Sequence, residues 1–339
     1  MTEVTLIAID TSKRVFTLHG IDARGTVVLR RELRRNQVEA FFRKQLPIDV
    51  VLEACGGSHH WARLLTSLGH RVRLIAPQYV KPFVKRNKND RIDAEAIGEA
   101  AQRPTMRFVP VKSADQQAEA MILSVRELLV KQRTQLINAL RGHAAEFGVI
   151  AARGTAQIDA LLERLGADPA VPAPAREMMG ELGAAIEQVR ERIGELDRRL
   201  KQLHKTNSVS QQLAAVPGIG PVGALTLALT VDASQFRSGR HFAAWLGLTP
   251  KQNSTGGKTR LGGISRQGNE RLRQLLVLGA TAVIRQVRPE QGKGSAWLRA
   301  LVTRRPRKVA AVALANKMAR VVWAMMTSGE AYRPHPAIG

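Results

Sequence analysis

The sequence predicts a mixed α/β domain followed by a mainly helical region. Two of the reasons are periodicities: short apolar runs of strand length continue as far as Ile75, and from Ser113 onward apolar residues recur at helical spacing instead. The third is the order of elements. Three strands joined by tight turns, then helix alternating with strand, build one mixed sheet covered by helices. On this reading residues 1–112 form the sheet domain, 113–206 a helical region and 207–339 a C-terminal domain.

Val4 to Ile9 is an apolar run that stops at Asp10. Val15–Ile21 and Gly25–Leu29 follow as two further strands, with a turn at Asp22–Gly25 between them. Asn36–Gln45 reads as a helix, Val50–Leu52 as a buried strand that runs into Glu53, Ser58–Leu68 as a second helix and Arg71–Ile75 as a strand. Pro77 then opens a basic stretch.

Within that stretch, KPFVKRNKNDRIDAEAIGE (Lys81 to Glu99) changes from cations to a carboxylate pair within one turn. A helix that begins near Asn89 puts Asp90 and Asp93 on one face, about 5–6 Å apart. Acids in a first turn commonly cap the helix and complement its dipole. Two carboxylates so close also suit a hard cation such as Mg²⁺, which takes one or two carboxylates and fills its other positions with water and phosphate oxygen. Lys81, Lys85, Arg86 and Lys88 stand just upstream, where a phosphate backbone would run. Asp10 and Glu53 each end a buried strand, and two such ends on neighbouring strands converge on one sheet edge. Four acids are enough for two divalent cations, which together stabilise the attacking and the leaving oxygen of a phosphodiester displacement.

The charge of the whole chain supports a polyanionic partner. There are 52 Lys and Arg against 28 Asp and Glu, a net charge of +24, and the excess runs through the whole length, as expected of a protein that neutralises many phosphates. Membrane binding is not expected, because the longest apolar helix candidate, Val309–Thr327, contains Lys317 and Arg320 and suits a protein core. No export leader is read at the N-terminus, and the single cysteine, Cys55, excludes an internal disulfide and any cysteine-based zinc cluster. A reducing cytoplasm, at the nucleoid, is the expected location. Aromatic residues are only 4% of the chain, so base stacking is not expected to dominate affinity.

Ser113 to Phe147 reads as one long helix with Val125, Leu128, Leu129, Leu136 and Leu140 on its apolar stripe. Asp168–Ala175, rich in Pro and Ala, breaks the chain. Leu182, Ile186, Val189, Ile193, Leu196, Leu200 and Leu203 then alternate spacings of four and three, the seam of a coiled coil. Such a seam joins two protomers or packs within its own chain. LAAVPGIGPVGALTLAL is a helix, a glycine-rich hairpin and a second helix, in which Gly218 and Gly220 would let backbone N–H groups hold a phosphate. An ordinary tight turn between helices has the same pattern. Phe236, Phe242, Trp245 and Leu246 read as core.

LTPKQNSTGGKTRLGGISRQG (Leu248 to Gly268) mixes glycine, hydroxyl and cationic residues and reads as a loop laid against an anion. Ser254 stands in it with Lys258, Arg260 and Arg266 nearby. The everyday reading of Ser-Thr-Gly-Gly is a flexible turn. A hydroxyl among cations is also the arrangement that attacks a phosphodiester while charge builds on its oxygens. The spacing is not that of a nucleotide-binding P-loop. The helix Glu270–Val283 carries Arg271 and Arg273, and Arg304, Arg305, Arg307 and Lys308 form a further basic cluster, either against nucleic acid or as a solvated face.

IAIDTSK, VVLEACGG, KNDRIDAEAI and PKQNSTGGKTRLGGISRQGN together resemble the signature segments of the DEDD-type insertion-sequence transposases, the insertion-sequence-one-ten family. The resemblance covers most of the chain in the family's order. It implies a ribonuclease-H-like fold, similar to the junction resolvase RuvC, for the sheet domain and a coiled-coil insertion that joins protomers; the helix-hairpin-helix pattern of the C-terminal domain rests on its own residues, Leu213 to Leu229. It implies that Asp10, Glu53, Asp90 and Asp93 bind Mg²⁺, with Mn²⁺ able to substitute, and that Ser254 is the nucleophile of DNA strand exchange. Donor and target DNA would be the substrates. A structured guide (bridge) RNA would choose the sequences, and the protein would assemble as a dimer or tetramer. Ala8 replaces a frequent glycine of the first motif, and Asn253 stands where many relatives have histidine. The competing readings are a junction resolvase that uses water instead of Ser254, a sugar-kinase-like phosphotransferase built on Ile9–Lys13, and a non-catalytic DNA scaffold.

Overall fold

The computed structural model describes residues 3–85, 89–253, 260–291 and 294–333. The chain divides into two compact units, Met1–Gln117 and Ala118–Gly339.

In the first unit six strands form one sheet: β1 (Leu6–Thr11), β2 (Val15–Ile21), β3 (Val27–Arg34), β4 (Asp49–Glu53), β5 (Arg71–Ile75) and β6 (Phe108–Val109), in the order β3-β2-β1-β4-β5-β6. β1, β2 and β3 are antiparallel neighbours, β4 lies parallel to β1 and β5 parallel to β4, and β6 closes the edge antiparallel to β5. The expected mixed sheet is therefore present. Its helices are α1 (Val38–Phe42), α2 (Ser58–Ser67), α3 (Pro77–Val80) and α4 (Asp90–Ala101).

Strand alternation sorts the apolar residues onto two faces. Ile7, Ile9, Phe16, Leu18, Val50, Leu52 and Leu74 pack with Phe42 of α1 and Trp61 and Leu65 of α2. Leu6, Ala8, Ile21, Val51 and Ile75 pack on the other side with Ala96, Ile97 and Ala100 of α4. Asp10 is two residues beyond Ala8, and Glu53 two beyond Val51. Both acids thus continue the α4 face past the point where its apolar residues end.

The second unit is helical apart from one hairpin. α5 (Ala114–Glu146), α6 (Ile158–Ala167) and α7 (Ala173–Thr206) precede α8 (Ser208–Ala214), α9 (Pro221–Thr230), α10 (Gly239–Trp245), the strands β7 (Pro250–Gln252) and β8 (Leu261–Ile264), and then α11 (Glu270–Gln286), α12 (Ala296–Arg304) and α13 (Arg307–Ser328). α7 buries every seventh position of the heptad seam, Ile186, Ile193 and Leu200, inside its own chain. Ile186 clusters with Ile137 and Leu140 of α5, and Leu200 with Leu123, so α5 and α7 run antiparallel. The Arg126–Asp197 pair, 2.5 Å, lies between those contacts. The intrachain alternative for the seam is thus realised among the described residues. The stripe expected on α5 holds in part: Leu140 is buried and Leu136 packs against the same cluster, whereas Val125 and Leu128 are exposed and Leu123, Ile137 and Ala144 are buried as well. Packing against α6 and α7 decides which apolar residues of α5 are covered.

α13 is long and apolar enough to cross a membrane by length and composition. In the fold it is a core helix, with Ala310, Leu314, Met318, Val322 and Met325 buried against α10 and α11 side chains. Phe236 and Phe242 are buried in the same core, with Trp245 stacked 6.0 Å from Phe242. The segment Leu248–Gly268, expected to be a loop, is partly a hairpin: Pro250 pairs with Ile264 and Gln252 with Leu261.

Candidate active site

α4 starts where the sequence predicts. The Asn89 side chain accepts a hydrogen bond from Ile92 N–H at 3.0 Å, and Asp93 N–H donates to the Asn89 carbonyl, so Asp90 and Asp93 fall in the first turn. α4 can lie close on the sheet because the facing residues are small: a Cβ built on Gly98 would come within 3.4 Å of Ala8 Cβ. This approach carries the first turn of α4 over the end of β1. Carboxylate oxygens of Asp10, Asp90 and Asp93 lie within 4.8 Å of one another, with Asp10 and Asp93 half-buried and Asp90 exposed.

Glu53 occupies the next strand end. Ile9 is in register with Leu52, so Asp10 and Glu53 are consecutive neighbours on adjacent parallel strands, yet Glu53 is not a member of the 4.8 Å group. The donor set suits a hard divalent cation. All three groups offer carboxylate oxygen, and opposed ligands of an Mg²⁺ ion stand about 4.2 Å apart, twice its ~2.1 Å bond length. A metal would thus be held by Asp10, Asp90 and Asp93, with Glu53 adjoining.

Beside the three acids a polar recess of about 510 Å³ runs between α4 and the outer strands, lined by Thr17, His19, Arg30, Glu32, Arg91 and Glu95 among others. Thr17 stands opposite Asp10 in the β1–β2 register, so the recess adjoins the acids. His19 is buried, and that burial holds its pKa below the ordinary value; Glu95 opposes the shift, while Arg30 and Lys85 add to it. Lys85 donates to Glu95 at 2.5 Å, a contact that raises the Lys85 pKa and lowers that of Glu95. It ties the end of the basic stretch to α4. Arg91 pairs with Glu32 at 3.3 Å and ties α4 to β3. His19, Gly98 and Arg91 were missed in the sequence. The one available signal was a histidine on the same strand face as Thr17, inside an otherwise apolar run.

The remaining expected residues are placed as follows. Lys81 is exposed and Lys85 is engaged by Glu95, while Arg86, Lys88, Ser254 and Lys258 lie outside the described residues. Gly218 adopts φ +91° in the turn between α8 and α9 and presses on α11: a Cβ on Gly279 would stand 1.8 Å from the Gly218 carbonyl oxygen. That glycine therefore serves helix packing. Gly220 precedes α9 with open space around it. Arg260 is exposed, and Arg266 is exposed with a left-handed backbone at φ 57°, its N–H donating to the Gly247 carbonyl. Arg271 is half-buried, pairs with Glu127 and donates to the Leu123 carbonyl; burial and the nearby Arg126 lower its pKa. Arg273 donates to the carbonyls of Leu246 and Gln267. Both guanidinium groups are engaged within the second unit. Arg304, Arg305, Arg307 and Lys308 are all exposed.

A mixed sheet with acids gathered from the end of β1 and the start of α4 is consistent with a DEDD transposase, and a DEDD transposase family model matches residues 7–148. A second model, described as the transposase IS116/IS110/IS902 family, matches residues 210–296. The chain is 54% identical over 98% of its length to a Sinorhizobium fredii protein, y4pF/y4sB, whose name marks it as an assumed transposase, and covers 86% of that protein. It is 42% identical to the transposase for insertion sequence element IS1111A of Coxiella burnetii and 39% identical to that for IS1328 of Yersinia enterocolitica, covering 92% and 99% of them. The chain belongs to the IS110/IS116 family of insertion-sequence transposases.

Proposed function

We propose that this transposase cuts and rejoins DNA through Ser254, with Asp10, Glu53, Asp90 and Asp93 holding Mg²⁺, or Mn²⁺ in its place, at the scissile phosphate. The observation that carries the reading is the approach of three carboxylates, brought from a strand end and a helix start, to within 4.8 Å. Carboxylates brought this close from a strand end and a helix start suit a divalent cation shared among them. A bound divalent cation supplies charge neutralisation at the phosphate oxygens.

Ser254 Oγ attacks phosphorus, a Ser–O–P bond forms, and the bond to the 3′ oxygen breaks. The proton lost by the serine balances the one gained by the released 3′ hydroxyl. The phosphoserine link conserves the energy of the broken phosphodiester, so a 3′ hydroxyl on a new partner reverses the step without ATP. Lys258, Arg260 and Arg266 flank Ser254 in the sequence and neutralise charge that builds on the phosphate. Donor and target DNA are the substrates. Lys81, Lys85, Arg86, Lys88 and the Gly220 turn hold their backbones, whereas Arg271 and Arg273 serve the fold.

Base choice belongs in this reading to a structured guide RNA, in keeping with a cationic excess spread along the whole chain. The active protein is a dimer or tetramer.

The test is to trap the covalent product. Wild-type protein incubated with element-end DNA and Mg²⁺ leaves a DNA adduct that survives denaturation, and Ser254→Ala and Asp90→Ala both lose it. Metal-dependent cutting that persists in Ser254→Ala without an adduct would instead identify a resolvase that uses water.

A further inference from the structure

A cavity of about 1400 Å³ in the second unit lies between β7–β8 and α10, α12 and α13. It exceeds the roughly 300–1,000 Å³ of a small-molecule cleft. Four cations line it, Arg240, Lys308, Lys317 and Arg320, and no Asp or Glu does so among the described residues. Its apolar surface includes Trp297, 37% exposed, and Val309, 52% exposed. Lys317 Nζ lies 4.5 Å from the centre of the Trp297 ring.

Cations with no acid beside them suit a polyanion, but a duplex presents phosphates at its surface and keeps its bases stacked inside. An exposed indole within the cationic groove suits a base that has left its stack, because every base has a face to lay against a ring. Lys317 lies over one face of that ring, so a base would take the other face, with the four cations of the groove available to its phosphates. One wall of the cavity is made by Pro250, Gly262, Gly263 and Ile264. These belong to the strands that flank the Ser254 stretch in sequence, and the backbone at Gly263 has open space around it.

We propose that this groove binds the single-stranded DNA next to the cleaved phosphate, with an unpaired base on Trp297 and the flanking phosphates on Lys317, Arg320, Lys308 and Arg240. The assignment rests on the recombinase reading, since that reading puts a DNA strand end at Ser254. It adds that the strand is unpaired there and names the residues that hold it.

The test uses the full chain and a short single-stranded DNA containing 2-aminopurine, whose fluorescence stacking on an indole quenches. Wild type is expected to bind and quench the probe. Trp297→Ala should lose the quenching and bind about tenfold more weakly, while Trp297→Phe should recover most of the affinity. The logarithmic salt dependence of binding should fall by about 0.7 for each cation removed in Lys317→Gln and Arg320→Gln. Circular dichroism melting of each variant separates lost binding from lost folding. Unchanged affinity in a folded Trp297→Ala, equal quenching by the same sequence as a duplex, or tenfold tighter binding of the matching RNA would each overturn the proposal. In those cases the Ser254 adduct would still form. Loss of the adduct from wild type would instead count against the recombinase reading.

Discussion

Gly98 of α4 and Ala8 of β1 face each other so closely that a methyl group on Gly98 would sit 3.4 Å from Ala8 Cβ, and equally 3.4 Å from the His19 ring. That is ordinary van der Waals contact, so Gly98→Ala should leave the acids together. Gly98→Leu should push α4 off the sheet and part Asp90 and Asp93 from Asp10. Mn²⁺ titration by calorimetry should show affinity close to wild type for the alanine variant and at least about tenfold loss for the leucine variant.

The four acids should not contribute equally. Asp10→Asn and Asp93→Asn each remove a member of the group within 4.8 Å, whereas Glu53→Gln removes a neighbour outside it. The first two should weaken Mn²⁺ binding by about tenfold or more, and Glu53→Gln by clearly less. Equal losses at all three positions would show that the metal sits nearer to β4 than the carboxylate spacing implies.

Acid should weaken the first unit through two histidines. Burial lowers the pKa of both His19 and His59, with Lys112 and Arg63 adding to the effect at His59. The unfolded chain therefore takes up their protons first, near the ordinary value of 6.5, while the folded state does not. This stability is complete above about pH 6.5 and is lost as pH falls from there towards the lower folded values. Thermal melts from pH 7.5 to 5 should show a falling midpoint, and His19→Gln should make the fall shallower.

Gly279 has no room for a side chain, since its Cβ would stand 1.8 Å from the Gly218 carbonyl oxygen. Gly279→Ala should force α11 away from the α8–α9 turn and cost about 2–4 kcal/mol. Gly223→Ala is the control, because its nearest neighbour, an Ile219 methyl, would be 3.7 Å away. Urea melts of the two variants give the difference directly.

Arginines in the second unit should separate into two kinds. Arg271→Met strands Glu127 and leaves the Leu123 carbonyl short of a donor, so it should lower stability by about 1–3 kcal/mol and leave the salt dependence of DNA binding unchanged. Arg304→Gln and Arg305→Gln, at exposed positions, should do the reverse and reduce the salt slope by about 0.9 each on duplex DNA.

Local signals in the sequence were enough wherever local physics decides the structure. Val15–Ile21 and Arg71–Ile75 are strands over the expected residues, and Asn89 caps α4 because a side-chain acceptor three residues ahead of a free N–H needs no distant partner. Asp10 could be read as a strand end for a similar reason, an apolar run closing on a charge. Its distance from Asp90 could not be read, because that depends on Ala8 and Gly98, ninety positions apart, meeting in the fold. Packing likewise decided α5, where Val125 and Leu128 look as apolar as Leu123 and Ile137 until α7 covers the latter two. β6 is only two residues long, and α6 was hidden behind the seam's stronger signal. Arg271 and Arg273 looked like nucleic-acid contacts because charge carries no mark of which carboxylate or carbonyl will meet it.

α13 follows α8 to α11 in the chain and is also a central wall of the second unit's core, from Ala310 to Met325. Synthesis runs from the N-terminus, so α8 to α11 leave the ribosome with the surfaces that α13 will cover still wet. The first unit can close over its sheet much earlier. A nascent chain is therefore expected to have its acidic cluster formed while the second unit still waits for α13.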